Sequence, residues 1–273
     1  MALALLLAVA ALAGSMAWSL DDLIFPTHAV PPPGPLPAGS ERLSLETPAG
    51  LALAGVHIPP VEQRGGPKTL ILGFGGNAWN GEDVASFLHE LYPSAHVVAF
   101  HYRGYRPSAG TPSADGLVAD APLVLEAALA RVRPERAVAV GFSIGSAVAA
   151  SLARTGKVDG LVLITPFDSL KAVAKDLYPW MPGMDLVFRH ELDTAEFLDR
   201  SEVPTAILAG ARDEIIPAER TDALRARVRN LVYDRTIQGA GHNDIYARSD
   251  FQQGMRDALD ALGAAAGSGR KAQ

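Results

Sequence analysis

From residue 41 onward the chain alternates short apolar runs with longer amphipathic stretches. Residues 43–47 and 51–58 alternate apolar with small or polar side chains around Pro48-Ala49-Gly50, the pattern of an antiparallel hairpin. Further short runs rich in apolar residues recur at 69–74, 97–100, 138–142, 161–164, 205–209 and 231–237, bounded by Gly, Pro or Asp. Strands buried on both faces read this way. Helical periodicity fills the gaps at 83–91, 117–132, 144–154, 218–228 and 250–262, with Pro122 marking a first turn or a kink. This order predicts an α/β fold with a mostly parallel central sheet and helices on both faces. One stretch breaks the alternation. Residues 168–200 form a long insertion between two strands, with Leu177-Tyr178-Pro179-Trp180-Met181 at its centre, and read as a short lid. The body spans 41–263, and the small, polar residues 264–273 read as a flexible tail.

The first twenty residues carry no charged side chain and are mostly Ala, Leu and Val. As a helix they reach roughly 30 Å, enough to cross a hydrocarbon core. Ser15-Met16-Ala17 alternatively offers the small residues of a signal-peptidase site. Either a retained anchor or a cleaved signal implies export; an apolar first helix packed on the domain is the third reading. Residues 21–40, with Pro31-Pro32-Pro33-Gly34-Pro35-Leu36-Pro37, favour extended polyproline and read as a spacer.

Composition narrows the function classes. The 273 residues hold 24 basic and 30 acidic side chains, a formal charge of −6, which argues against a nucleic-acid partner. The absence of cysteine excludes thiol nucleophiles, disulfide scaffolds and Cys-ligated metal. A covalent mechanism must rest on another nucleophile.

Gly141-Phe142-Ser143-Ile144-Gly145 has the form G-x-S-x-G and falls where a predicted strand ends and a predicted helix begins. That is the setting of a nucleophile elbow, in which only small neighbours tolerate the sharp turn. The helix N-terminus adds a positive dipole beside a developing oxyanion. A serine needs a base. Of seven histidines, His242 follows the last strand in Gly239-Ala240-Gly241-His242-Asn243-Asp244, at the same sheet edge as Ser143; His101 and His190 are rivals. The carboxylate that orients the imidazole is read as Asp213, on the preceding strand-to-helix loop, with Asp168 as alternative and Glu214 as a poorer candidate. Two backbone N–H groups, those of Ile144 and of Asn77 in Gly75-Gly76-Asn77, are the expected oxyanion donors. Gly75, Gly76, Tyr178, Trp180 and Met184 are the expected substrate contacts, with the apolar lid favouring esters or thioesters over charged peptides.

The order Ser143…Asp213…His242 on this strand pattern resembles the α/β-hydrolase fold across most of the chain. Within that superfamily the chain is similar to the BEM46/ABHD13-like branch, with its serine aminopeptidase S33-type domain. The likeness rests on Gly76-Asn77-Ala78, on Tyr102-Arg103-Gly104-Tyr105 followed by Ser108-Ala109-Gly110, and on Phe142-Ser143-Ile144-Gly145. Two positions depart: Gly75 stands where the family has histidine, which would loosen the oxyanion loop, and Arg106 stands where it has glycine. The resemblance implies a serine hydrolase working through an acyl-enzyme, with no metal, no organic cofactor and no required protein partner. Its expected partners are a small-molecule acyl ester and, through residues 1–20, a membrane. A peptidase or amidase of the same fold, and a non-catalytic binding protein on that fold, are the alternatives.

Overall fold

The computed structural model describes residues 22–62, 66–180, 188 and 190–269. Eight strands form one sheet in the order β1-β2-β4-β3-β5-β6-β7-β8. They are β1 (Glu41–Glu46), β2 (Ala52–Ile58), β3 (Thr69–Phe74), β4 (His96–Phe100), β5 (Arg136–Phe142), β6 (Gly160–Ile164), β7 (Thr205–Gly210) and β8 (Leu231–Ile237). The β1–β2 hairpin is antiparallel and β2 meets β4 antiparallel; every later pairing is parallel. The helices are α1 (Gly81–Leu91), α2 (Ala114–Val132), α3 (Ile144–Ser151), α4 (Leu170–Leu177), α5 (Thr194–Leu198), α6 (Ala218–Arg225) and α7 (Ser249–Gly269).

The pleat sends alternate residues to opposite faces. In β5, Ala137 and Ala139 join a core formed with α2 to α6, whereas Val138, Val140 and Phe142 join one formed with α1 and α7. Strands that must be apolar on both sides carry no polar alternation, which is why the parallel runs stood out in the sequence. β8 closes the sheet and keeps several half-exposed or exposed positions.

The helix ends differ from the periodicity at several places. α2 begins at Ala114, three residues before the first strongly apolar position, because the Ser113 side chain caps it by accepting the Gly116 N–H. Pro122 therefore lies in the helix interior rather than in its first turn. α3 is α-helical only to Ser151 and tightens into a 3₁₀ turn at Leu152–Thr155. α7 continues to Gly269, past the point where a tail was expected, since alanine-rich sequence sustains a helix.

The segment read as a proline-rich spacer makes contacts of its own with the domain. It lies along the domain. Ile24 and Phe25 are buried in the first core, Leu36 packs on the second, the Asn80 side chain donates to the Pro31 carbonyl, and the Gly34 N–H donates to Asp83 Oδ1 at 2.8 Å. Residues 1–20, read as anchor or signal, lie outside the described residues. Among the described residues no helix is long and apolar enough to cross a membrane.

Two histidines face each other between β2 and β4, with His57 Nε2 and His96 Nδ1 2.9 Å apart. Burial, then the neighbouring His96 and Arg131, pushes His57 down to about 4, against a smaller opposing effect of Glu41. The unfolded chain binds this proton near the ordinary histidine value of about 6.5. The contribution is thus fully present above that value and is lost as pH falls from it towards 4. We expect the Tm to drop between about pH 7 and about pH 5, and His57→Gln to reduce that drop. Equal drops in the two proteins, measured by thermal melts, would show that the pair does not titrate with unfolding.

Candidate active site

β5 ends at Phe142 and α3 starts at Ile144, so Ser143 alone turns the chain. Its backbone adopts φ 53 and ψ −119, a conformation that costs a non-glycine residue of order 1–3 kcal/mol. The surroundings hold it there. The Ser143 N–H donates to the Ile164 carbonyl at 2.9 Å, and its own carbonyl accepts both the backbone N–H and the hydroxyl of Ser146, at 2.9 and 2.6 Å. A Cβ on Gly141 would stand 2.2 Å from the Gly145 carbonyl oxygen, and one on Gly145 would stand 2.2 Å from that of Phe74. The two glycines of G-x-S-x-G are therefore steric requirements of this packing. Beneath the turn, Phe142 meets Trp79 at 5.1 Å and Tyr246 at 5.7 Å between ring centroids. Burial pushes the Tyr246 hydroxyl up to about 12, so the ring packs there as a neutral phenol.

His242 and Asp213 converge on this serine. His242 Nε2 lies 3.0 Å from Ser143 Oγ, and His242 Nδ1 lies 2.8 Å from Asp213 Oδ2. The second carboxylate oxygen, Asp213 Oδ1, accepts the N–H groups of Ile215 and Ile216 at 3.0 and 2.7 Å. The aspartate is thus oriented by its own loop before it meets the ring. The histidine and aspartate side chains are only 6% and 7% exposed, so water competes little for these contacts. Glu214, read from sequence as a poorer carboxylate candidate, instead accepts the His242 backbone N–H with Oε2 at 3.1 Å. It holds the histidine loop rather than the imidazole.

The rivals lie elsewhere. His101 is buried and accepts the Gly81 N–H at Nδ1. The His190 ring packs edge-on against Phe25 and Phe188. Asp168 pairs with Arg220 at 3.3 Å.

The loop after β3 approaches Ser143 from the other side. A Cβ on Gly76 would lie 3.8 Å from the Ser143 Cβ, and Asn77, Ser143 and Ile144 line one cavity together. Neither Gly75 nor Gly76, both read as substrate contacts, is among the residues lining that cavity, and Gly75 is packed tightly from behind. A side chain at Gly75 would collide with Val84 at 2.8 Å, and no histidine fits without displacing that helix residue. The loop is not loose for lack of it. The Tyr102 hydroxyl donates to the Gly75 carbonyl at 2.8 Å, and the Tyr105 hydroxyl donates to the Asn77 carbonyl at 2.6 Å. Burial raises both phenols well above their usual range, which keeps them protonated donors. Sequence reading had noticed the Tyr-Arg-Gly-Tyr turn without assigning this role.

The cavity holds about 320 Å³, at the small end of ligand pockets. Its walls are mostly apolar. Leu170, Val173, Ala174 and Leu177, spaced as one face of α4, form one side, and Ile215 and Ile216 form another. Tyr178 lines it. Trp180 does not: it is 71% exposed and meets Tyr178 edge-on. Met184 lies outside the described residues. Leu23 and Ile24 complete the wall, and the Leu23 carbonyl accepts from the Asn77 side chain at 3.5 Å. Sequence reading missed this strap because prolines nearby marked it as linker. Its signal was the apolar triplet Leu23-Ile24-Phe25. Among the described residues no group of three or more His, Asp or Glu is arranged to hold a metal ion.

A family described as the alpha/beta hydrolase fold matches residues 70–190. An uncharacterized protein of Mycobacterium tuberculosis is 34% identical over 223 residues, 78% of each chain. A lysophosphatidylserine lipase, ABHD12, of Xenopus tropicalis is 29% identical over 70% of this chain and 57% of its own. Among solved structures, an esterase of Pyrococcus furiosus superposes with a TM-score of 0.65 at 18% identity, over 85% of this chain and 97% of that one. The chain belongs to the α/β-hydrolase superfamily and is a hydrolase. These likenesses do not place it in the BEM46/ABHD13-like branch.

Two substitutions probe the supports of the site. Tyr105→Phe removes only the hydroxyl that holds Asn77, and should lower kcat on a soluble ester about tenfold, roughly 1.4 kcal/mol, with KM little changed. An unchanged kcat would mean that the loop keeps its place without that bond. Phe25→Ala should destabilise the fold by about 3 kcal/mol in denaturant melts if the strap is part of the core, and by almost nothing if it is a detached linker.

Proposed function

We propose that this protein is a serine hydrolase that cleaves carboxylic esters through an acyl-enzyme, with Ser143 as nucleophile, His242 as base and Asp213 as its orienting carboxylate. The observation that carries this is the chain of contacts from Ser143 Oγ through His242 to Asp213, at 3.0 and 2.8 Å. With Asp213 ionised, His242 keeps its proton on Nδ1 and leaves Nε2 to accept from the serine. Ser143 Oγ attacks the carbonyl carbon while its proton passes to Nε2. The carbonyl oxygen takes the negative charge, between the backbone N–H groups of Ile144 and Asn77. Collapse of this intermediate breaks the bond to the leaving alcohol, which receives the proton from Nε2. Water then repeats the sequence: it loses a proton to His242, attacks the acyl carbon and releases the acid from Ser143.

The apolar cavity beside Ser143 supports an acyl chain as the group held there, and its small volume supports one chain rather than two. A lysophospholipid-type ester, the class acted on by the Xenopus relative, fits that description. The Gly75 position, which speaks for a non-catalytic reading, loses that force because the two tyrosines hold the loop. We further propose that residues 1–20 direct the chain to or across a membrane, on the strength of their uncharged apolar run.

A fluorophosphonate probe should label the protein once, and p-nitrophenyl esters should compete with an optimum at intermediate chain length. Ser143→Ala and His242→Ala should abolish labelling, and Asp213→Asn should cut turnover by about 10³ or more. Failure of the intact protein to label would refute the serine mechanism, and competition by charged peptides alone would refute ester specificity.

A further inference from the structure

Among the described residues five large apolar side chains are exposed: Leu23, Val61, Leu177, Trp180 and Ile215. Singly exposed apolar residues need no explanation, but a cluster does. Four of these five gather at one place. Leu23, Leu177 and Ile215 line the cavity that opens beside Ser143, and Trp180 stacks its edge on Tyr178, which lines the same cavity. They come from three separate parts of the chain: the strap, the end of α4 with the residues after it, and the loop after β7. The fifth, Val61, follows β2 and borders a different cavity of mixed lining with Glu62, Arg136 and Arg256, at the end of the sheet where the parallel strands begin. Among the described residues the clustered apolar exposure therefore lies at the mouth of the site, with Val61 standing alone elsewhere.

The chain itself indicates what covers this mouth. The uncharged apolar stretch ends at Leu20, three residues before Leu23 on the rim. Three extended residues span at most roughly 10 Å. A segment leaving a bilayer at Leu20 thus delivers the rim to the lipid surface, with the mouth of the cavity next to the exit point. A tryptophan at the rim suits the interfacial region, where its ring is favoured.

We propose that the four-residue rim Leu23, Leu177, Trp180 and Ile215 docks on a lipid bilayer, so that the Ser143 cavity opens into the membrane interface and takes its acyl substrate from there rather than from bulk water. This rests on the membrane role proposed for residues 1–20. It predicts that the protein is held in one orientation and not merely tethered.

The lack of native cysteine permits a direct test. Single substitutions Leu177→Cys, Ile215→Cys and Val61→Cys in the full chain each give a unique site for an environment-sensitive fluorophore. The labelled proteins are mixed with phosphatidylcholine vesicles carrying doxyl-labelled acyl chains, and flotation is measured in parallel. Blue-shifted, quenched emission at positions 177 and 215 with unchanged emission at 61 is the expected result. If the protein floats while all three labels report water, the docking proposal fails and the membrane reading of residues 1–20 stands. If the protein does not float and no label responds, both fail. Fluorophosphonate labelling of the same preparations reads the hydrolase assignment independently of either outcome.

Discussion

The site depends on the close approach of two backbones. The carbonyl of Phe74, at the end of β3, lies so near α3 that no side chain larger than hydrogen fits at Gly145. Gly141 is crowded by the Gly145 carbonyl in the same way. This contact holds Ser143 in its strained positive-φ backbone conformation, brings the first turn of α3 near the loop carrying Gly76 and Asn77, and sets the hydroxyl where His242 can reach it. The strain at Ser143 persists because the hydrogen bonds to Ile164 and Ser146 and the aromatic packing under Phe142 leave the turn no relaxed alternative.

Around that contact the molecule adds layers of support from distant parts of the chain. Asp213 is fixed by the N–H groups of Ile215 and Ile216, His242 is held at its backbone by Glu214, and the loop carrying Gly75 and Asn77 hangs from two tyrosine hydroxyls. Apart from the exposed Ile215 bond, these contacts are half-buried, where a lost hydrogen bond is expensive, so the geometry is set in the folded chain itself. The N-terminal strap belongs to the same system. It lines the cavity with Leu23 and Ile24 and meets the insertion between β6 and β7 through Phe25 and His190.

The parallel strands were legible in the sequence because burial on both faces leaves runs with no polar alternation. Ser143, Asp213 and His242 could be chosen because each follows a recognisable strand, and topology brings those strand ends to one edge. What was not legible was packing between segments far apart in sequence. Gly75 read as a substrate contact because it stands in the Gly75-Gly76-Asn77 loop; only the position of Val84 and Trp79 reveals that it is a tight backbone fit. Trp180 read as a pocket residue from hydrophobicity alone, whereas the cavity is lined by the apolar face of α4 before it. The prolines of residues 26–37 hid a docked strap, since local preference for extended structure says nothing about what that structure lies against. Glu214 shows the same limit: adjacent to Asp213 in sequence, it turns to a different partner.

The central claim is that this strained serine becomes acylated with His242 as its base. It is tested most directly by mixing the protein with excess p-nitrophenyl ester, stopping the reaction in acid during the first turnover, and locating the added mass by peptide mass spectrometry. The account predicts one acyl group per protein, on Ser143 and absent when His242 is replaced by alanine. Turnover without any acyl group on Ser143, or an acyl group on another residue, would contradict it.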